Sequence, residues 1–398
     1  MLRVDEPACS RPPLEERIVR AFTNRERLAL YGDRRLGKST LVARTLETHE
    51  IPCLTVDLLG LKSIEGLCAI IIDALEAHLR ERSVVARKVA PWLREVGLDL
   101  PDMRLRLAAG PVHLQISSAG ISPLNRLLDR IGQIAERIPL AVFFDEFQEI
   151  PDRLTAEDAR HVLGTLRGKI QRQAKIAYYF AASAKISFAA MFTQEGAPFF
   201  EGAHLIEVDP IPERTFSHFL EEQFRQSGRP AAQETIQAIL TLGGPRAADL
   251  QQLAHETWYA AHEIPVRPPA VAEGLRKIIR NLEPAALALL HRTTELQQRA
   301  IFAAALFQDA DQSQQRTSQI AGFRAHHSYR KALAPFLGSG DSLPVLEDLG
   351  HGRIRFRYRY LRFWFLTQYA RAINLLPVLR DVDYYRSLLP GEIKALLG

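Results

Sequence analysis

Four short apolar runs punctuate the first half of the chain: Arg27 to Gly32 (RLALYG), Ile51 to Leu58 (IPCLTVDL), Leu140 to Glu146 (LAVFFDE) and Ile176 to Ser183 (IAYYFAAS). Longer stretches with apolar residues at helical spacing separate them. Continuous apolar strands alternating with amphipathic helices predict a parallel sheet covered on both faces, an α/β fold. One interval breaks the rhythm. Met103 to Ser117 (MRLRLAAGPVHLQIS) alternates apolar and polar residues around Ala-Gly-Pro, the pattern of a hairpin with one wet face inserted into the α/β core.

Past Pro210 the strand pattern fades and helical spacing takes over, interrupted by the proline-rich PVRPP at 265–269. The chain therefore divides into a core at 1–210, a helical lid and linker at 211–279, and a small domain at 280–398. Within the small domain, a pair of short helices, TSQIAGF and SYRKALAPFL, precedes LPVLEDLGHGRIRF, which reads as a hairpin turning at Gly350 to Gly352, and ARAINLLPVLR adds a further helix. Helices followed by a hairpin is the order of a winged helix. In RIRFRYRY, Arg353, Arg355, Arg357 and Arg359 share one parity and Ile354, Phe356, Tyr358 and Tyr360 the other, so a strand would put arginines on one face and apolar groups on the other. From Leu361 the spacing becomes helical.

Composition narrows the class. The 398 residues are 47% hydrophobic and 24% charged, a balance that supports a sizeable core. Three cysteines without metal or disulfide spacing point to a reducing, cytoplasmic setting. No apolar run is long enough to span a membrane, which argues against a membrane partner. The formal charge of +5 lies in the small domain, where 15 Lys and Arg face 10 Asp and Glu from Asn281 onward. That bias permits a duplex DNA contact through the four arginines of RIRFRYRY without requiring it.

The chemistry concentrates in GDRRLGKST, which matches G-x-x-x-x-G-K-[ST] between a predicted strand and a predicted helix. Gly32, Asp33, Arg34, Arg35, Leu36, Gly37, Lys38, Ser39 and Thr40 would form a loop whose backbone N–H groups converge on the phosphates of a nucleoside triphosphate. Lys38 would reach the β- and γ-phosphates, and Ser39 would hold Mg²⁺ through its hydroxyl. A second carboxylate site follows at the end of LAVFFDEFQEI: Asp145 would orient Mg²⁺, and Glu146 would polarise the attacking water. Ser183, at the end of the next strand, stands where it could touch the γ-phosphate or that water. Arg246, after the Gly-Gly-Pro break in LGGPRAADL, could contact the phosphates from the lid.

Together the phosphate loop with its paired arginines, VFFDEFQEI, FAASAKISF, HLIEVDPIPE and the lid turn GGPR resemble the archaeal-type P-loop ATPases, relatives of the AAA+ and STAND ATPases, over roughly residues 14 to 258. The resemblance implies an ATPase core, a helical lid and a C-terminal winged helix, with Lys38, Ser39, Asp145 and Glu146 carrying the nucleotide chemistry and Arg246 in a sensor position. It also suggests Arg167 as an arginine finger, acting in an oligomer formed on ATP binding. Two departures stand out. The F-x-G-R-E-x-E segment of that family is replaced by PPLEERIVRAF, and Tyr358 and Arg359 stand where Asp-Pro usually falls in its winged helix.

The expected activity is Mg²⁺-dependent ATP hydrolysis in a nucleotide-driven switch that signals through the small domain to a protein or DNA partner. The alternatives are an oligomeric DNA-directed motor and a DNA-binding regulator with a weakly active nucleotide site. A nuclease reading of Asp381, Glu392 and Lys394 fails because too few residues remain to build a sheet around them.

Overall fold

The computed structural model describes residues 9–81, 99–100, 103–106, 113–116, 121–183, 185–308, 322–337, 345–349 and 352–369. Ser117, the Gly350 turn, most of TSQIAGF, ARAINLLPVLR, Asp381, Glu392 and Lys394 lie outside the described residues. The chain forms two compact units, Met1–Ile211 and Pro212–Gly398.

In the first unit, α1 (Pro12–Asn24) precedes β1 (Arg27–Tyr31), α2 (Lys38–Thr48), β2 (Cys53–Asp57) and α3 (Ile64–Glu81). A small antiparallel sheet then interrupts the α/β order, built from β3 (Asp99–Leu100), β4 (Met103–Arg106) and β5 (His113–Ile116), with β4 and β5 paired Met103 to Ile116. The α/β order resumes with α4 (Ile121–Ala135), β6 (Leu140–Asp145), α5 (Glu149–Arg153), α6 (Ala156–Arg172), β7 (Ile176–Ala182), α7 (Lys185–Thr193) and β8 (His204–Glu207).

The main sheet runs β2-β6-β7-β1-β8, parallel throughout. It has one strand more than the four apolar runs predict. The extra strand, β8, lies at the sheet edge beside β1 and is only half-buried, which is why His204–Glu207 lacks a continuous apolar signature.

Period-two alternation sends successive strand residues to opposite faces. Leu28, Leu30, Phe143, Tyr179 and Ala181 pack against α1 and α2, while Ala29, Val142, Phe144, Tyr178 and Phe180 pack against α3, α4 and α6. Both faces are covered, so β6 and β7 are buried along their whole length. Because the strands are parallel, Tyr31, Asp57, Asp145 and Ala182 all end at the same edge of the sheet. In an open parallel sheet this carboxyl edge is where ligands bind.

The second unit contains α8 (Glu213–Gln226), α9 (Gln233–Gly243), α10 (Ala247–Ala260), α11 (Pro268–Asn281), α12 (Glu283–His291), α13 (Glu295–Leu306), α14 (His326–Leu337), β9 (Leu346–Asp348), β10 (Ile354–Phe356) and α15 (Arg359–Trp364), which runs into a π-helical turn at Phe365–Tyr369. The proline-rich break is short, because Pro268 and Pro269 open α11 at positions where no intrahelical N–H is needed. Strands β9 and β10 pair antiparallel, with Arg355 opposite Glu347. The helical pattern starts two residues earlier than the alternation suggests: β10 ends at Phe356 and α15 begins at Arg359. Ile354, Phe356, Tyr360, Phe363, Trp364 and Phe365 are each at most 2% exposed, so the aromatic half of the stretch forms core. Among the described residues, no helix is long and apolar enough to cross a membrane.

Candidate active site

The phosphate loop leaves β1 at Gly32. A Cβ there would sit 2.5 Å from the Val208 carbonyl oxygen, so only glycine lets the loop pass under the segment that follows β8. Gly37 closes the loop as the N-cap of α2 with φ +85, a left-handed conformation that a side chain would strain. The N-terminal N–H groups of α2, with the positive end of the helix dipole, are thereby aimed at the loop's concavity.

Lys38 is 6% exposed and its Nζ donates to the carbonyls of Gly32 at 3.0 Å and Asp33 at 2.9 Å. An ammonium has three N–H donors, so one remains for a phosphate oxygen. Burial lowers its pKa to about 8, against the opposing pull of Glu146 and Asp145.

Asp145 ends β6 at 5% exposure and accepts the backbone N–H of Glu146 at 3.0 Å. Burial raises its carboxyl to about 6; the Ser39 hydroxyl bonded to it pulls the other way, and Glu146 and Asp57 push it further up. Asp57 is its register partner across β2 and β6. The phosphate loop and the acid strand therefore meet at Ser39 and Asp145.

Glu146 adopts φ +50, rare for a residue with a side chain and costly by about 1–3 kcal/mol. Its neighbours over-determine that conformation. Asp145 is fixed in the strand, and Phe147 is wholly buried edge-on to Phe180 and Phe199, with ring centroids 4.9 and 5.5 Å apart, while its N–H donates to the Ala181 carbonyl. The Glu146 side chain is thus turned to one place. Its Oε2 accepts from the Ser183 hydroxyl at 2.9 Å and from Gln148 Nε2. Arg34 Nε donates to Ser183 Oγ at 3.1 Å, which ties the phosphate loop to β7.

The remaining predicted residues sit elsewhere. Arg167, in α6, is half-buried and its Nη1 reaches the Ala197 carbonyl at 3.5 Å. Arg246 belongs to the second unit, where it is the N-cap residue of α10 and 5% exposed. Its guanidinium donates to the Arg357 carbonyl and lies 3.4 Å from Glu347.

The arginine stretch is largely occupied within its own unit. Arg355 pairs with Glu347 at 2.8 Å, and Arg357 donates to the Leu346 carbonyl at 3.1 Å. Arg359 donates to the carbonyls of Leu242 and Thr241 at 2.8 and 3.1 Å, lying where a Cβ on Gly244 would be, and Arg353 is exposed. The early start of α15 takes Arg359 out of the strand alternation.

Three residues of the site have no clear signal in the sequence. Arg11 donates to the carbonyls of Leu36 and Asp209, bracing the phosphate loop against the segment that follows β8, and nothing local to Arg11 announces this. Asp57 becomes relevant only through strand register. Gln148 lies inside the DEFQE string itself, two residues past Glu146, and position is its only signal.

The residues fit Mg²⁺ and a nucleoside triphosphate: Ser39 and Asp145 are a hard oxygen donor pair, and Gly32, Gly37 and Lys38 shape a cradle for anionic oxygens. No protein-family model matches the sequence, and no curated protein does. Solved structures do. A Walker-type ATPase of Pyrococcus abyssi superposes with a TM-score of 0.59 at 15% identity, covering 91% of this chain and 98% of that one. The ORC2 protein of Aeropyrum pernix, in ADPNP and ADP complexes, gives 0.52 at 16% identity over 98% and 97%. The ORC1 protein of Aeropyrum pernix, in complex with DNA, gives 0.51 at 12% identity over 95% and 96%. The five-stranded parallel sheet, the strand-loop-helix around Lys38 and the acid pair closing β6 thus give this chain the fold of the archaeal Walker-type ATPases, a P-loop core of the AAA+ kind followed by a helical, hairpin-bearing unit.

Proposed function

We propose that the protein is a Mg²⁺-dependent ATPase whose nucleotide state is passed from the core to a protein or DNA partner through the C-terminal unit, with the small winged-helix-like domain as the output. The observation that carries this reading is the convergence of Lys38, Ser39, Asp145, Glu146 and Ser183 at the carboxyl edge of one parallel sheet. Lys38 and the N–H groups of α2 hold the β- and γ-phosphates. Mg²⁺, held by Ser39 and Asp145, would supply charge to the phosphate oxygens. Glu146 accepts a proton from the attacking water at Oε1, the carboxylate oxygen that neither Ser183 nor Gln148 engages, and so aligns it for in-line transfer of the γ-phosphoryl group. Arg246 serves as the lid's phosphate sensor when it leaves Glu347, and Arg167 completes a neighbouring site if copies assemble on ATP. The spacing of the three cysteines suits a reducing cytoplasm.

A DNA output is favoured by one observation, the DNA complex of the structurally similar ORC1 protein. With Arg355, Arg357 and Arg359 engaged within their unit, such a contact would rest first on Arg353.

The test is steady-state ATP turnover by the full chain, with and without duplex DNA, against Lys38→Ala and Glu146→Gln. Turnover that needs Mg²⁺ and is lost in both variants is the expected result, and Glu146→Gln should still bind ATP. Wild-type turnover in Glu146→Gln would refute the assignment of the base. Stimulation by DNA that disappears in Arg353→Ala would identify DNA as the partner.

A further inference from the structure

Ser183 carries a single hydroxyl proton and two acceptor lone pairs. Arg34 Nε donates into its oxygen at 3.1 Å and Gln148 Nε2 at 3.4 Å, so both lone pairs are engaged and the proton is left to point at Glu146 Oε2, 2.9 Å away. Gln148 Nε2 also donates to that same Oε2. The amide is oriented without ambiguity, because its NH₂ faces a carboxylate and a carbonyl oxygen there would repel it.

Gln148 is 1% exposed and follows the wholly buried Phe147 in the chain. Its Oε1 is buried with no hydrogen-bond partner. An orphaned buried acceptor costs about 1–3 kcal/mol, which a methionine or leucine of similar volume would avoid. Packing therefore does not account for an amide at this position, whereas two N–H donors placed between an acid and a hydroxyl do. Glu146 Oε2 is consequently held from two sides, on a backbone already fixed at φ +50, and Oε1 is the carboxylate oxygen left for a water.

We infer that Gln148 is a positioning residue for ATP hydrolysis: with Arg34 it orients the Ser183 hydroxyl, and with Ser183 it fixes the carboxylate of Glu146 so that one oxygen alone faces the reacting water. The inference rests on Glu146 acting as the base. Arg34 makes the device sensitive to the phosphate loop, since any rotation of Arg34 toward a phosphate releases one of the two lone pairs that aim the Ser183 proton.

The deciding experiment is single-turnover ATP hydrolysis by full-length Gln148→Met, Glu146→Gln and the double variant, with affinity for a fluorescent ATP analogue and the melting temperature measured on each. Gln148→Met is expected to lower the hydrolysis rate by ~10- to 100-fold, as small misplacements of a catalytic group do, with nucleotide affinity within about twofold of wild type. In the Glu146→Gln background the same change is expected to cost nothing further, because a residue acting only through Glu146 has nothing left to position. An unchanged rate in Gln148→Met, or an equal loss in both backgrounds, overturns the inference and returns Gln148 to the core. Full activity in Glu146→Gln removes the base and the inference together, which separates that failure from the other two. Should Gln148→Met not fold, Gln148→Asn supplies the same comparison, with an amide one methylene too short to reach Oε2.

Discussion

Removing the charge of Asp145 should make the protein more stable while abolishing the proposed Mg²⁺-dependent turnover. Asp145 is 5% exposed and burial lifts its carboxyl from an ordinary 3.8 to about 6. At ~1.36 kcal/mol per pKa unit, holding the ionised form in the fold costs about 3 kcal/mol at neutral pH. Asn in its place keeps an acceptor for the Glu146 N–H and sheds that cost, but it also withdraws one of the charges that favour protonated Lys38. A net gain of about 1–2 kcal/mol remains, or roughly 2–8 °C in the melting of a unit of this size.

The pH dependence follows from the sign of the shift. A carboxyl raised in the folded state contributes stability that is fully present below the unfolded value of 3.8 and lost as pH rises through about 6. The advantage of Asp145→Asn is therefore negligible near pH 4, grows between about 4 and 6, and is level above 7. Differential scanning calorimetry in EDTA at pH 4.5, 6 and 8 reads this directly. A lower melting temperature for the variant at pH 8, or a gain that is the same at every pH, would refute the argument. Mg²⁺ with ATP should raise the melting temperature of the wild type and much less that of the variant.

Two further outcomes probe other regions of the scaffold. Gly32→Ala must push a methyl group to 2.5 Å from the Val208 carbonyl oxygen, so it should cost about 1–3 kcal/mol of stability and weaken ATP-analogue binding at least tenfold, measured by thermal melting and fluorescence titration. Glu347→Gln removes the carboxylate shared by Arg246 and Arg355. If Arg246 exchanges between Glu347 and a phosphate, this substitution should tighten ATP binding several-fold, and a loss of affinity would show that the pair only holds the second unit together.

Much of the site is legible in the sequence because its chemistry is local in the chain. The spacing from Gly32 to Ser39 requires a tight loop before a helix, and the apolar run ending in Asp145 and Glu146 requires a buried strand with acids at its end. Other features depend on partners distant in sequence. The half-buried edge strand β8 has no continuous apolar run to announce it, and Asp57 is drawn to Asp145 only by strand register. The arginine stretch shows the limit of a periodic reading. Alternation places four arginines on one solvent face, but Glu347 and the carbonyls of Leu346, Leu242 and Thr241 compete for three of them, and the early start of α15 turns Arg359 out of the strand.

By itself, then, the sequence determined the α/β class, the phosphate loop and the acid pair, because backbone periodicity and short-range geometry allow few alternatives. Tertiary structure alone decided that Gln148 and Ser183 grip Glu146, that Arg34 bonds the Ser183 hydroxyl, and that Glu347 holds Arg246. Those contacts join residues 35 to 149 positions apart, or, for Gln148 and Glu146, require a left-handed residue that no local propensity selects. Hydrogen bonds of this kind form only after the sheet has brought its strand ends together, and the buried aromatics around Phe147 hold the acid in a conformation it would not keep alone.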